Sequence, residues 1–303
     1  SFNSGVSCNL VDGKRGMMNA DLVRNAINDP EFYHAPLTSL VSVENTTNKG
    51  GGACYDLLTL QAMKEVCVEH KLKYHLDGAR LWNALIAKKQ HPKQFGSMFD
   101  TISVCLSKGL GAPIGSVLLG DKETMKRALR VRKIFGGGMR QGGYLAAAGL
   151  YALQNNVSRL EEDHIRAKEI AALLQELNWV EKVEPVETNI LIFEVKKPWT
   201  EGLVMEKLKQ KNIFISSMGH GKLRIVTHLD YKKVISNIRK NKLPFVPCRS
   251  KSGGAHLFLF TEEPITAEIM RNKLMELAGG LGYGSCEIFP KQVELNTTRG
   301  DIG

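Results

Sequence analysis

The sequence predicts an α/β protein built on a mostly parallel sheet. Short apolar runs alternate with segments of helical period between Leu40 and Leu106. Polar residues gather where those runs stop: Glu44 with Asn45, Asp77 with Arg80, and Lys108. In open α/β sheets that edge is where ligands bind. The chain has 303 residues, 43% of them hydrophobic, enough core for one large or two modest domains.

Taken in order, Val6–Val11 reads as a strand followed by the turn Asp12-Gly13-Lys14-Arg15-Gly16. Asn19 caps a helix Ala20–Asn28 that stops at Asp29-Pro30. Leu40–Glu44 is a short buried strand, and a polar, Gly-rich loop runs from Asn45 to Gly52. Asp56–His70 carries apolar residues near the 3.6 period, and Tyr74–Asp77 is the next strand. A helix begins at Leu81, and Phe99–Leu106 and Ile114–Leu119 read as strands joined by a tight turn holding Lys108. Lys122–Lys133 is a basic helix, 136–143 a glycine-rich bend, and Ala146–Gln154 and Val157–Leu177 are long helices. Strands Ile190–Val195, Ile213–Ser216 and Leu223–Val226, with helix Leu203–Lys211 between them, make a small α+β domain. Beyond it come a helix Tyr231–Asn241, an apolar Phe245-Val246, a strand Leu257–Phe260, a helix Thr266–Leu281 and a strand Glu287–Phe289.

Composition narrows the functions. No run reaches the roughly 18 apolar residues of a membrane span. The first residues have neither a basic start nor an apolar core, so no secretory signal is expected. The six cysteines form no CxxC pair and suit reduced thiols in a cytoplasmic protein; no metal-ligand pattern is present. The net charge of +10 is spread along the chain, permitting an anionic partner without specifying one.

Lys108 lies at a strand end, where a lysine with a partly neutral amine can form a Schiff base with an aldehyde cofactor. A pyridine-based aldehyde cofactor also needs a carboxylate to keep its ring nitrogen protonated, and gains from a cation near its phenolic oxygen. Asp77, Arg80 and Lys108 match those three needs. Singly, each also reads as an ordinary turn or cap residue.

The motifs Glu44-Asn45-Thr46, Gly50-Gly51-Gly52, 75–84 (HLDGARLWNA), 107–116 (SKGLGAPIGS) and 136–141 (GGGMRQ) resemble the low-specificity L-threonine aldolases. These belong to the β-eliminating lyase group of fold-type-I pyridoxal phosphate (PLP) enzymes. The likeness runs from residue 1 to about 228. It implies a mostly parallel sheet with helices on both faces, a PLP-binding domain over 1–155, a small domain over 156–228, and a homo-oligomer, dimer or tetramer. It implies that Lys108 carries PLP as a Schiff base, Asp77 pairs with the pyridine nitrogen, and Arg80 lies near the phenolic oxygen and the substrate. Arg224 resembles the clamp on the substrate carboxylate, Arg140 a phosphate contact reaching into a neighbouring subunit, and His34 the loop histidine near the substrate hydroxyl. The implied reaction is retro-aldol cleavage of L-threonine or L-allo-threonine to glycine and acetaldehyde.

Two departures accompany the likeness. The family has roughly a quarter of its length before the position matching Ser1, including a phosphate-cradling Ser-Gly-Thr turn and a histidine that stacks on the ring. The loop after His34 reads Ala35-Pro36-Leu37-Thr38-Ser39 where many members carry arginines. Impaired activity is therefore expected of this chain alone. Residues 229–303 depart altogether: Leu243-Pro244-Phe245, 248–256 (CRSKSGGAH), 287–292 (EIFPKQ) and 299–303 (RGDIG) resemble a fragment of an archaeo-eukaryotic primase-type domain. That likeness implies phosphate contacts from His256, Arg249 and Lys251 and permits nucleic-acid binding through 245–256. It implies no polymerase chemistry, because the paired metal-binding acids are missing. A solvated basic loop is the plain alternative, as are a nucleic-acid-binding module on a degenerate lyase scaffold or a non-catalytic scaffold for the whole chain.

Overall fold

A computed structural model describes residues 3–210, 215–229, 245–249, 255–259 and 267–280. The chain divides into two compact units, residues 1–210 with 215–229, and residues 211–214 with 230–303.

The first unit opens on a single 3-10 turn, Lys14–Gly16, and the short helix α1, Ala20–Asn25. Asn19 caps α1 as expected, its side chain accepting from the Leu22 N–H at 2.8 Å. Val6–Val11 is not a strand: no other strand lies beside it among the described residues, and Val6 and Leu10 are exposed. Apolar residues alone do not hold an extended chain without a ladder partner.

Strands β1 (Leu40–Glu44), β2 (Lys73–Gly78), β3 (Thr101–Cys105) and β4 (Ser116–Gly120) form one sheet in that order. The pairs β1–β2 and β2–β3 are parallel, and β3–β4 is antiparallel. Between β1 and β2 runs α2, Leu57–Glu69, capped by Asp56, whose carboxylate accepts from the Thr59 N–H at 2.7 Å. Its buried residues Leu60, Met63, Val66 and Cys67 recur at helical spacing. The helices α3 (Leu81–Lys88) and α4 (Pro92–Gly96) lead from β2 to β3. Val41 and Val43, Tyr74 and Leu76, and Ile102 and Val104 alternate toward one core with α2, Leu81, Leu85 and Phe95. Ser42, His75, Thr101 and Ser103 turn the other way, Ser42 exposed and the other three half-buried. The connection from β3 to β4 is not the tight turn expected: it spans residues 106–115 and packs Leu110 and Ala112 against Ala152 and Leu160.

After β4 come α5 (Lys122–Ile134), α6 (Gly143–Asn155) and α7 (Leu160–Gln175). A second, antiparallel sheet follows, ordered β5–β6–β8–β7 from Val180–Val183, Ile190–Val195, Lys222–Val226 and Ser216–Gly219. Ala171 of α7 and Val204 of α8 (Glu201–Gln210) pack with Leu191, Phe193 and Leu223 into its core.

In the second unit, β9 (Phe245–Arg249) and β10 (Ala255–Leu259) pair antiparallel, and α9 spans Ala267–Gly280. In that register Arg249 lies opposite Ala255, and His256 opposite Cys248. Lys251, the helix expected over Tyr231–Asn241 and the strand Glu287–Phe289 lie outside the described residues. Among the described residues, no helix is long and apolar enough to cross a membrane.

Candidate active site

The parallel register fixes the first part of the site. Glu44 on β1 stands beside Asp77 on β2, which stands beside Ser103 on β3. Asp77 ends its strand in a local turn, Oδ1 accepting from the Ala79 N–H at 3.0 Å. Oδ2 accepts no hydrogen bond from the described residues. Arg80 follows three residues later, at the start of α3.

The second sheet supplies Arg224, in the middle of β8. Its Nη1 donates to Asn48 Oδ1 at 2.8 Å, tying β8 to the loop after β1. Its Nε is buried and has no acceptor among the described residues. Arg80 lies close enough to Arg224 for the two cations to repel. Burial first, and Arg224 second, push the Arg80 guanidinium below its usual value; Glu44, Cys105 and Asp77 oppose them. Two neighbouring guanidinium groups, one with a buried Nε lacking an acceptor among the described residues, suit an anion, and a carboxylate matches the planar fork of Arg224.

Lys108 sits three residues beyond β3, half-buried. Its amine makes no hydrogen bond or ion pair among the described residues. Its backbone is held instead: the carbonyl accepts from the Gly111 N–H at 2.9 Å and from His228 Nε2 at 2.8 Å.

Two other expected site residues lie on exposed segments. His34 is on an exposed loop, and its ring contacts are local, with Tyr33 at 3.9 Å and Phe32 at 5.6 Å between centroids. Arg140 is exposed in the glycine-rich bend, where Gly136, Gly138 and Gln141 all have positive φ. Residue reasoning missed Asn48, the acceptor for Arg224. It also missed Asp163 of α7, which has no exposed surface and pairs with Arg159 at 2.5 Å. The Arg159–Asp163 spacing of four was visible, but it is common on solvated helices.

The family model described as "Beta-eliminating lyase" matches residues 1–198. The chain is 42% identical over 204 residues to a low specificity L-threonine aldolase from Escherichia coli O157:H7, covering 67% of this chain and 59% of that protein. It is 38% identical over 219 residues to low-specificity L-threonine aldolase 1 of Arabidopsis thaliana, covering 70% and 61% respectively. The chain thus spans roughly three fifths of the length of these relatives. Among solved structures, Leishmania major threonine aldolase superposes with a TM-score of 0.60 at 20% identity, over 76% of this chain and 68% of that one. The fold is the expected α/β architecture, fold type I of the PLP-dependent enzymes. With a family model covering well over half its residues, the chain belongs to the beta-eliminating lyase family.

Proposed function

We propose that the chain carries the central part of a carbon–carbon lyase that cleaves L-threonine or L-allo-threonine to glycine and acetaldehyde with PLP. The observation that carries this reading is that Arg80 and Arg224 lie near enough to repel each other, in a fold that sets Asp77 and Lys108 at neighbouring strand ends. The residues fit the cofactor. Asp77 keeps one carboxylate oxygen for a ring nitrogen, Lys108 has an unpaired amine for the aldehyde, and the buried Nε of Arg224 wants an anion.

When bound, PLP supplies an electron sink for the charge left on Cα when the Cα–Cβ bond breaks. The chain's own residues do the rest. Lys108 would hold the aldehyde, and Asp77 would keep a proton on the ring nitrogen. Arg224 grips the substrate carboxylate in two-pronged fashion, which orients the amino acid and fixes which bond at Cα is presented. Arg80 would place a second cation near the phenolic oxygen and the substrate. His34 would take the proton from the β-hydroxyl oxygen, directly or through water. Arg140 would contact the cofactor phosphate, reaching into a neighbouring subunit.

A homo-oligomer is part of the proposal. It is supported by apolar side chains left exposed on β4, α5 and α6, among them Val117, Leu118, Leu129, Ile134, Tyr144 and Tyr151. A cytoplasmic location fits the free, buried Cys54 and Cys67, whose thiols burial pushes up to about 12 and about 11. Borohydride reduction in the presence of PLP should label Lys108, and Lys108→Ala should abolish both that label and glycine formation from threonine. Labelling of a different lysine ends this reading.

A further inference from the structure

The turn that bears Lys108 is held by side chains far from it in sequence. The carbonyls of Lys108, Gly109 and Leu110 are successive, and each accepts a side-chain hydrogen bond. His228 Nε2 donates to Lys108 O at 2.8 Å, Arg159 Nη1 to Gly109 O at 3.2 Å, and Asn156 Nδ2 to Leu110 O at 2.7 Å. A carbonyl only accepts, so the proton on His228 sits at Nε2.

Asp163 joins these donors. Its carboxylate takes the other arm of Arg159 at 2.5 Å, and its backbone carbonyl accepts from Thr227 Oγ1 at 2.7 Å. Thr227 precedes His228 and is itself fixed by Asn189, whose Nδ2 donates to Thr227 O at 3.0 Å. Asp163 has no exposed surface, so this is a buried charge kept in place by defined partners. The turn also fits closely: a Cβ on Gly109 would lie 2.9 Å from Leu160 Cδ2 and 3.2 Å from Asn83 Oδ1.

We infer that His228, Arg159 and Asn156, organised by Asp163, form a brace that fixes the backbone beneath Lys108 and so the direction in which its amine reaches. They are positioning residues, and the inference rests on the proposed role of Lys108. The brace also joins two parts of the site. His228 stands four residues after Arg224, at the end of the same strand and its extension. One short stretch therefore carries the group that grips an anion and the group that holds the lysine turn. A shift of that stretch moves both.

The test uses the full chain and two readouts. The first is hydrogen–deuterium exchange of the amides of residues 106–112, measured without cofactor. The second is the rate at which Lys108 is labelled by PLP and borohydride. His228→Leu removes the donor, whereas His228→Gln puts an amide N–H close to the position of Nε2. Loss of one such bond is worth about fivefold to tenfold in local opening. The expected result is exchange faster by about that factor and slower labelling in His228→Leu, with His228→Gln close to the unchanged chain. Should His228→Leu fail to fold, Asn156→Ala removes one donor at the edge of the brace and should speed exchange at Leu110 and Gly111. Unchanged exchange and labelling in the variants, or a His228→Gln as impaired as His228→Leu, overturns the brace. Failure of the unchanged chain to label Lys108 overturns the proposed function instead, and the exchange measurement still judges the brace.

Discussion

Arg224 shows how a single residue suits the role proposed for it. One nitrogen donates to Asn48, and the buried Nε has no acceptor among the described residues. A lysine there would keep the charge and lose the planar fork. Arg224→Lys is therefore expected to raise KM for the amino acid by about tenfold to a hundredfold, the value of a charged hydrogen bond, with kcat changed less. Steady-state kinetics across threonine concentration would check this. An effect on kcat alone would place Arg224 away from the carboxylate.

At the scale of elements, the site depends on how β1, β2 and β3 present their ends. Their shared core ties the strands to α2 and α4 through Leu60, Met63, Tyr74 and Phe95, all without exposed surface. Phe95 stacks with Phe99 at 6.3 Å between centroids, and Phe99 with Tyr74 at 4.2 Å. Phe95→Ala leaves a cavity under β2 and β3 and should cost about 3–5 kcal/mol, read as a lowered denaturation midpoint. The loop after β1 is tied to the second sheet by Thr188, which donates to Gly52 O at 2.9 Å. Gly52 has φ +70, and a Cβ there would sit 2.2 Å from Thr188 Oγ1. Gly52→Ala should thus displace the loop that carries Asn48 and weaken substrate binding through Arg224, an effect measurable as a rise in KM.

For the whole molecule, stability depends on pH through a buried histidine. His164 is buried on α7, 3.1 Å from Asn83, and burial holds its pKa down at about 4 against an ordinary 6.5. In the unfolded chain it takes up a proton as pH falls through about 6.5, whereas in the fold it stays neutral until about 4. The folded state therefore keeps this stability above pH 6.5 and loses it as pH falls toward 4, by about 3 kcal/mol in all. Urea midpoints at pH 7.5 and pH 5 should differ in the unchanged chain and converge in His164→Gln. Equal midpoints in both proteins would show that another group governs this range.

Much of this was legible in residues. The period of α2, the helices α5 and α7, the apolar runs of β1 to β3, the cap at Asn19, and the set Asp77, Arg80 and Lys108 are local patterns, written within a few turns of chain. What stayed hidden was contact between distant positions. Nothing near Asn48 points to Arg224, and nothing near Lys108 points to His228, Arg159 or Asn156. Val6–Val11 was misread for the same reason, since a strand depends on a neighbour that its own residues do not name. The sequence by itself determined most of the helices and strands and the residue types offered at the strand ends, because both follow from the spacing of side chains along one segment. The tertiary structure alone decided which remote side chains meet, as Arg224 meets Asn48 and His228 meets the carbonyl of Lys108, because hydrogen bonds and buried charge depend on where the folded backbone brings them together.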